Sequence, residues 1–375
     1  MASLNKSQFG PSIYFATDKN IFDALNEHKV DSSTMAELFL DRNTIVSATR
    51  DRVSLAFYFS KMNHDFYDHQ RISQRLGVIP RRERMTSVEL FGDVAAEELR
   101  GAIEKIKNDY EGTGDKVTVS KMADGFMVDI QYSKIDYRKS EFNQVQVRDG
   151  FLDIRSKDGK VIIRSSQNSY VDGFRDSFVG NLERVTDKDL QRFDVSLFEF
   201  TSPSIRSKFF YDLFSGLPGY AFQDVTDVYV YKPRSGVMSG DVDLESPQVE
   251  RVALRGSGVS KTKIFRDLAA DGYYTVRVTW VAKNIYEEGH LYTIEAVFTD
   301  PVACAGFSYV VLGVNERDGV EFRKARRTPT KGESSRISNA IEDYARTLIL
   351  ALKSSEPKDD NKSIDLGADS AEDDV

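Results

Sequence analysis

Sulfur and imidazole are scarce in this chain, and the scarcity removes whole classes of chemistry. One cysteine, Cys304, in 375 residues excludes an internal disulfide. A reducing compartment, the cytoplasm, is the expectation. Cys304 lies in an apolar Ala-Cys-Ala-Gly-Phe context with His290 as its only partner in the segment. That context suits a small buried residue better than a thiol nucleophile. Four histidines in the whole chain give acid–base catalysis little to draw on. No Gly-x-Ser-x-Gly elbow occurs. No run approaches the roughly 18 apolar residues of a membrane span, and MASLNKSQFG carries no apolar segment behind its lysine. Neither a span nor a signal peptide is expected.

Apolar side chains are plentiful: 40% of residues are hydrophobic and 11% aromatic, enough for a folded globular protein with an ample core. The length allows two or three domains. The net charge of −8 is unevenly spread. Residues 356–375 hold eight acids against Lys358 and Lys362, whereas Arg42–Arg84 holds nine bases against four acids. An acidic average therefore does not exclude an anionic partner, because local charge decides.

From Asn20 to about Tyr110 the apolar spacing is helical, with Thr34 and Glu37 forming a capping-box pattern and a long helix expected over Ser87–Tyr110. After Gly112 and Gly114 the period becomes two. Val117 and Val119, Met127–Tyr132, Val145 and Val147, Leu152 and Ile154, and Val161–Ile163 predict an antiparallel meander, with tight turns at Ala123-Asp124-Gly125 and Asp158-Gly159. Tyr170–Val185 predicts a helix. His290–Phe298, Phe307–Val314 and Val320–Lys324 predict three strands, and Ser335–Leu352 a helix docking through Ile337, Ile341, Tyr344, Leu348 and Leu352. The loop 232–247 and the segment after Lys353 lack periodicity, and the latter is expected to be disordered.

Between Phe193 and Asn284 the chain repeats itself. Arg206, Lys208, Phe210, Asp212 and Leu213 match Lys261, Lys263, Phe265, Asp267 and Leu268 at a constant offset of 55, and Gly219-Tyr220 match Gly272-Tyr273 after a shorter loop. Each copy reads as strand, helix, glycine and returning strand, so the C-terminal body is expected to be a duplicated βαβ-like layer. An amphipathic helix followed by a glycine and a strand gives the same pattern without duplication.

Over about residues 33–62 a helix, a short extended piece and a second helix succeed one another, with Arg50 and Arg52 where the second helix starts. This stretch resembles the helix-extended-helix (SAP-like) modules that bind duplex DNA. The resemblance implies phosphate contacts from Arg50 and Arg52. The chain departs from the pattern at the connection, where Asn43 stands in place of a glycine.

Motifs with specific chemistry are incomplete. Gly256-Ser257-Gly258-Val259-Ser260-Lys261-Thr262 lacks the P-loop glycines, having Ser260 and Arg255 at those positions, and reads as a strand-to-helix turn capped by Ser260. His64, Asp65, Asp68 and His69 have i,i+4 spacing, but no further ligand stands near to complete a zinc shell. Asp241, Asp243 and Glu245 form an acidic loop with no nucleotide-binding turn before it. Asp318, Glu321 and Arg323-Lys324 approach a metal-nuclease pattern, with the acids spaced too closely for opposed strands. No metal or cofactor is expected, although a carboxylate-only site remains an open alternative.

Clustered arginine is the remaining signal. Arg81, Arg82 and Arg84 follow Pro80, and Arg323, Lys324, Arg326, Arg327 and Lys331 gather after the last strand with no acid among them. Guanidinium forks suit phosphate oxygens, although such clusters also serve as solvated surface or subunit contacts. The expectation is an α+β protein with a helical N-terminal region (1–110), an antiparallel β-rich middle with a closing helix (111–192), a duplicated α/β body (193–354) and an acidic tail (355–375). Its expected role is a non-catalytic, cytoplasmic nucleic-acid-binding component of a larger assembly, with DNA preferred over RNA and no membrane partner. Arg50, Arg52, Arg81, Arg82, Arg84, Arg323, Lys324, Arg326, Arg327 and Lys331 are the candidate contacts. The alternatives are a protein-interaction scaffold or oligomeric accessory subunit, and a diverged metal-dependent nuclease. An antiviral defence role is compatible with such a chain, and no residue demonstrates it.

Overall fold

The computed structural model describes residues 16–26, 30–47, 49–65, 67–69, 71–72, 83–138, 142, 145–233, 251–256, 263–285, 289–319 and 321–355. Helices and a large antiparallel sheet make it an α+β protein. The chain divides into two compact units, Met1–Asp194 with Ile294–Asp300 and Ala305–Gly313, and Val195–Thr293 with Pro301–Cys304 and Val314–Val375. Among the described residues no helix is long and apolar enough to cross a membrane.

The first unit opens with α1 (Asp18–Asn26), α2 (Ser32–Asp41) and α3 (Arg52–Ser60). Ile21, Leu25, Leu38, Phe39, Leu55 and Phe59 meet in their own small core. The expected capping box is displaced by three residues: Asp31, not Thr34, caps α2 by accepting from the Thr34 N–H at 2.7 Å. Asp51 likewise caps α3, which begins at Arg52. A single side-chain oxygen satisfies an orphan N–H in the first turn of each helix. Farther along the stretch of helical spacing, residues 67–69 and 71–72 are described and their backbone is helical.

The rest of this unit is a sheet with helices on one face. Its strands run in the order β2 (Lys116–Lys121), β3 (Gly125–Ile135), β4 (Val145–Lys157), β5 (Lys160–Ser166), β1 (Met85–Phe91), β11 (Ala305–Asn315), β10 (Leu291–Asp300), and β6 (Gln191–Asp194) also pairs with β1. The meander from β2 to β5 agrees with the period-two pattern. Asp158 and Gly159 turn β4 into β5 with φ of 53° and 71°, the left-handed pair of a tight hairpin. Leu99, Ile103 and Ile106 of α4 (Ala96–Gly112) and Val171, Phe174, Phe178 and Leu182 of α5 (Ser169–Thr186) pack against Val88, Leu90, Val128, Ile130, Leu152, Ile154 and Ile163.

The helix expected over Ser87–Tyr110 is corrected to a strand followed by a shorter helix. Thr86, Val88 and Leu90 are buried in alternation with Ser87 and Glu89, a period of two that the later helical spacing obscures. Thr86 Oγ1 donates to the Phe307 carbonyl at 2.8 Å, and Glu89 pairs with Lys160 across β1 and β5 at 3.1 Å. Glu97 and Glu98 stand in the first turn of α4, where acids complement the helix dipole, and Glu98 accepts from the Ala95 N–H at 2.7 Å.

In the second unit β7 (Tyr220–Tyr231) lies between β8 (Arg251–Arg255) and β9 (Tyr274–Asn284), antiparallel to both. α6 (Pro203–Gly216) buries Phe209, Phe210 and Leu213 on this layer and packs against α8 (Lys331–Ser355). The helix–glycine–strand part of the repeat is present twice: Gly219 and Gly272 have φ of 82° and 86°, after α6 and α7 (Lys263–Ala270) and before β7 and β9. The first copy's leading strand is not. Val195, Leu197 and Phe200 are buried in irregular backbone, with the Leu197 N–H bonded to the Cys304 carbonyl at 2.9 Å rather than to a ladder. Arg206 explains part of the repeated pattern structurally: Nε donates to the Phe200 carbonyl at 2.7 Å, and Nη1 to that of Val302 at 3.2 Å. Its counterpart Lys261 lies outside the described residues.

On α8 the buried face is Ile337, Ile341, Ala345 and Ile349, a spacing of four. Tyr344 and Leu348 are half-buried beside it, and Tyr344 closes over Gly216, whose space a Cβ would contest at 2.2 Å from the phenol oxygen. Most of the loop 232–247 and all of 356–375 lie outside the described residues.

Helix α5 approaches β4 closely because Gly150 has no side chain. A Cβ there would stand 2.4 Å from Val171 Cγ2. Gly150→Ala is expected to cost about 1–3 kcal/mol by overpacking, read as a lower urea midpoint with an unchanged slope. An unaltered midpoint would mean that the two layers are not held this closely.

Candidate nucleic-acid interface

The C-terminal basic cluster occupies a short connection between β11 and α8. After Asn315 the chain makes a two-strand hairpin, β12 (Arg317–Asp318) and β13 (Glu321–Phe322), with Arg317 opposite Phe322 and Asp318 opposite Glu321. The acids that the sequence places too close for opposed strands are thus opposed after all, because the turn between them is only two residues long. Arg327 then pairs with Val314 through two backbone hydrogen bonds of 3.0 Å, and Thr330 leads into α8.

Arg327 organises this connection. Its Nη1 and Nη2 donate to the Glu333 carboxylate at 2.8 and 2.7 Å, its Nε donates to Glu316, and Nη1 also meets the Thr328 carbonyl at 3.0 Å. Glu333 is buried and receives two further bonds, from Tyr292 Oη at 2.9 Å and the Thr330 N–H at 2.7 Å. The Glu333 N–H bonds Thr330 Oγ1 at 3.2 Å, completing a capping box for α8. The hydrogen bonds from Arg327, reinforced by those of Thr330 and Tyr292, overcome burial and hold the Glu333 carboxyl down to about 2. Burial first, and then the bond to Glu333, pushes the Tyr292 phenol well above its ordinary range.

The cluster therefore sorts into two kinds of cation. Arg327 is structural, and Arg323 is shared between Glu316 and Asp318 at 3.3 Å each. Lys324, Arg326 and Lys331 are exposed and carry no ion pair among the described residues. From Glu316 to Arg336 there are seven bases and four acids, a local excess of three positive charges.

The N-terminal candidates sort the same way. Arg50 is exposed at the start of the α3 segment. Arg52 instead turns inward, and its Nε and Nη2 cap the Leu25 carbonyl at the end of α1 at 3.1 and 3.0 Å. Arg84 is engaged by Glu295 at 2.7 Å. Arg42 is held by Asp68 and Asp65, and Arg71 by Asp41. Arg81 and Arg82 lie outside the described residues. Between α2 and α3, residues 44–47 are neither helix nor strand, and Asn43 takes a φ of 52°.

The other candidate chemistries have these positions. His64 Nδ1 is 3.9 Å from Asp68, whose nearer partner is the Arg42 guanidinium, so the carboxylate already faces a fixed cation. No group of three or more His, Cys, Asp or Glu among the described residues is placed to hold a metal. Cys304 is buried with φ of 47° and its Sγ 3.6 Å from the Pro301 carbonyl. His290 Nδ1 accepts from the Arg317 N–H at 3.1 Å. Residues 257–262 of the glycine-rich stretch and the acids Asp241, Asp243 and Glu245 lie outside the described residues.

Sequence reasoning missed Glu316, Tyr292, Thr330 and Glu333. The last two carried a readable signal, a Thr-x-x-Glu capping box directly before an apolar helical run. Tyr292 and Glu316 had none.

Because the Glu333 carboxyl titrates below its ordinary value of 4.5 when folded, it stabilises the native state above that value, and the gain is lost as pH falls from about 4.5 towards 2. At neutral pH it is worth roughly 3 kcal/mol. Glu333→Gln is expected to lower stability at pH 7 by that order and to flatten the pH 2–4.5 limb of urea stability measured against pH. An equally steep limb in the variant would assign the acid sensitivity to other carboxylates.

No protein-family model matches the chain, and no curated protein matches it, so the chemistry of this site is read from its own residues.

Proposed function

We propose that the chain is a non-catalytic, cytoplasmic nucleic-acid-binding component of a multi-protein assembly, meeting the phosphate backbone through Lys324, Arg326 and Lys331 in the second unit and Arg50 in the first. One observation carries the reading: these four cations are exposed and uncompensated among the described residues, while their neighbours are spent on internal carboxylates and carbonyls. Exposed cations exchange hydration and counterions for phosphate, and do so without dismantling an internal ion pair. Arg323 and Arg327 make poor contacts by the same reasoning, since recruiting them would break bonds to Glu316 and Glu333. The reading includes no role for a membrane. DNA remains the preferred polyanion on the SAP-like pattern of α2 and α3.

A second reading, a protein-interaction scaffold, is favoured by a different observation. Leu40 of α2, Val53, Phe57 and Tyr58 of α3, and Ile45 in the connection between them are more than half exposed, Ile45 at 91%. Apolar exposure on this scale in one small region marks a contact surface. Light scattering of the purified chain at low and high salt, with and without DNA, separates the readings, because self-association through this face needs no DNA and persists in salt whereas a DNA complex is lost as salt rises.

The triple variant Lys324→Gln, Arg326→Gln, Lys331→Gln tests the phosphate contacts while sparing the Arg327 network. Fluorescence anisotropy with a labelled duplex is expected to show about tenfold or greater loss of affinity at low salt. The slope of log K against log salt should fall by about 2 to 3, near 0.9 for each phosphate contact removed. Unchanged affinity and slope would remove this cluster from the binding surface.

A further inference from the structure

The layer formed by β8, β7 and β9 has two unlike faces. Val228 of β7 and Val278 of β9 stand opposite each other and share one cavity with Phe210 and Phe214 of α6. Side chains alternate between faces along a strand, so Asp227 and Tyr229 point away from α6. On β8, which ends the sheet, Arg251, Ala253 and Arg255 are exposed while Val252 and Leu254 between them are half-buried. The register gathers these residues: Asp227 lies opposite Arg255, and Tyr229 lies between Ala253 on one neighbouring strand and Arg277 on the other. Directly opposed residues project to the same face. Side-chain contacts agree with that grouping. The Arg277 guanidinium lies over the Tyr229 ring, 3.2 Å from its centroid. Arg255 Nη2 donates to Tyr229 Oη at 3.2 Å, and its Nε pairs with Asp227 at 2.9 Å. Arg277 therefore takes one face of the ring from the β9 side. The other face is turned towards β8, where the Ala253 methyl is too short to cover it. Arg251 and Arg255 flank Ala253 two residues away on either side, about 7 Å in each direction.

We propose that this face binds single-stranded nucleic acid, with an unstacked base lying on the Tyr229 ring above Ala253 and the adjoining phosphates meeting Arg251 and Arg255. Three arginines against the one carboxylate of Asp227 give the face the sign that a phosphate backbone requires. The ring supplies what charge alone cannot, a flat surface for a base, and stacking on an aromatic side chain strengthens binding by about fivefold to a hundredfold per base. Arg277 beneath the ring and Arg255 at its hydroxyl hold Tyr229 in orientation before a ligand arrives. A duplex makes no use of such a surface, because its bases are stacked on one another and present only their edges and the backbone. Every base has a π-face, so the site tolerates any sequence. The inference rests on the polyanion reading above for its class of ligand, and it uses none of the four cations assigned there.

Fluorescence anisotropy of the full chain tests the site with two labelled strands of equal phosphate number, an oligothymidylate of about 16 nucleotides and its abasic counterpart. The parent chain is expected to bind the thymidylate strand about fivefold or more tighter than the abasic one. Ala253→Glu, at an exposed position of an edge strand, fills the open side of the ring and should weaken thymidylate binding about tenfold and abolish the preference. Tyr229→Phe keeps the ring and should keep the preference, whereas Tyr229→Leu, an apolar replacement, should lose it. Equal affinity for the two strands in the parent chain, or a preference that survives both Ala253→Glu and Tyr229→Leu, would overturn the proposal. A labelled duplex separates this outcome from the fate of the earlier reading. Duplex binding with no preference for thymidylate over abasic strand would remove this site and leave the Lys324, Arg326 and Lys331 contacts standing. A preference lost in Ala253→Glu, kept in the Lys324→Gln, Arg326→Gln, Lys331→Gln variant and accompanied by no duplex binding would support this site and defeat those contacts alone.

Discussion

The Arg327 guanidinium is the constraint on which the second unit's last third depends. It joins Glu316, at the end of β11, to Glu333, in the first turn of α8, and Tyr292 of β10 closes the same carboxylate. Breaking such a pair by removing one partner leaves a buried charge without compensation, which is far more costly than the pair's net contribution suggests. Lysine could not take the place of Arg327, because two parallel bonds to Glu333 and a third to Glu316 require a planar fork.

That fixed point also divides the electrostatics. The chain is acidic on average, yet its acids are unevenly used: Glu295, Glu316, Asp41, Asp65 and Asp68 are committed to arginines nearby in space. The arginines so held place strands and helices, and their positive charge is largely cancelled where it stands. Exposed cations with no such partner, Lys324, Arg326 and Lys331 among them, keep their charge for the solvent side. Functional charge in this protein is what internal pairing leaves over.

The sequence made the periodic elements legible. The meander from Val117 to Ile163, the helix after Ser169 and the two glycines at 219 and 272 follow from local rules of alternation, amphipathicity and positive φ, and these stand in the structure. Elements decided by distant partners were not legible. β1 was hidden because Leu90, Val94 and Leu99 fit a helical spacing as well, and only pairing with β5 and β6 decides between the two. The leading strand of the first repeat failed because Leu197 finds its hydrogen bond at Cys304, more than a hundred residues away. At the candidate site, residue type marked the cluster correctly as basic. It could not show that Arg84 would meet Glu295 or that Arg327 would be enclosed by Glu316 and Glu333, since no local pattern records a carboxylate brought in by tertiary folding.

The division between structural and uncompensated cations is tested most directly by urea denaturation of Arg326→Gln and Arg327→Gln beside the parent chain at pH 7. The account predicts a loss of about 2–4 kcal/mol for Arg327→Gln and a change within about 0.5 kcal/mol for Arg326→Gln. Equal losses, or the larger loss at Arg326, would contradict it.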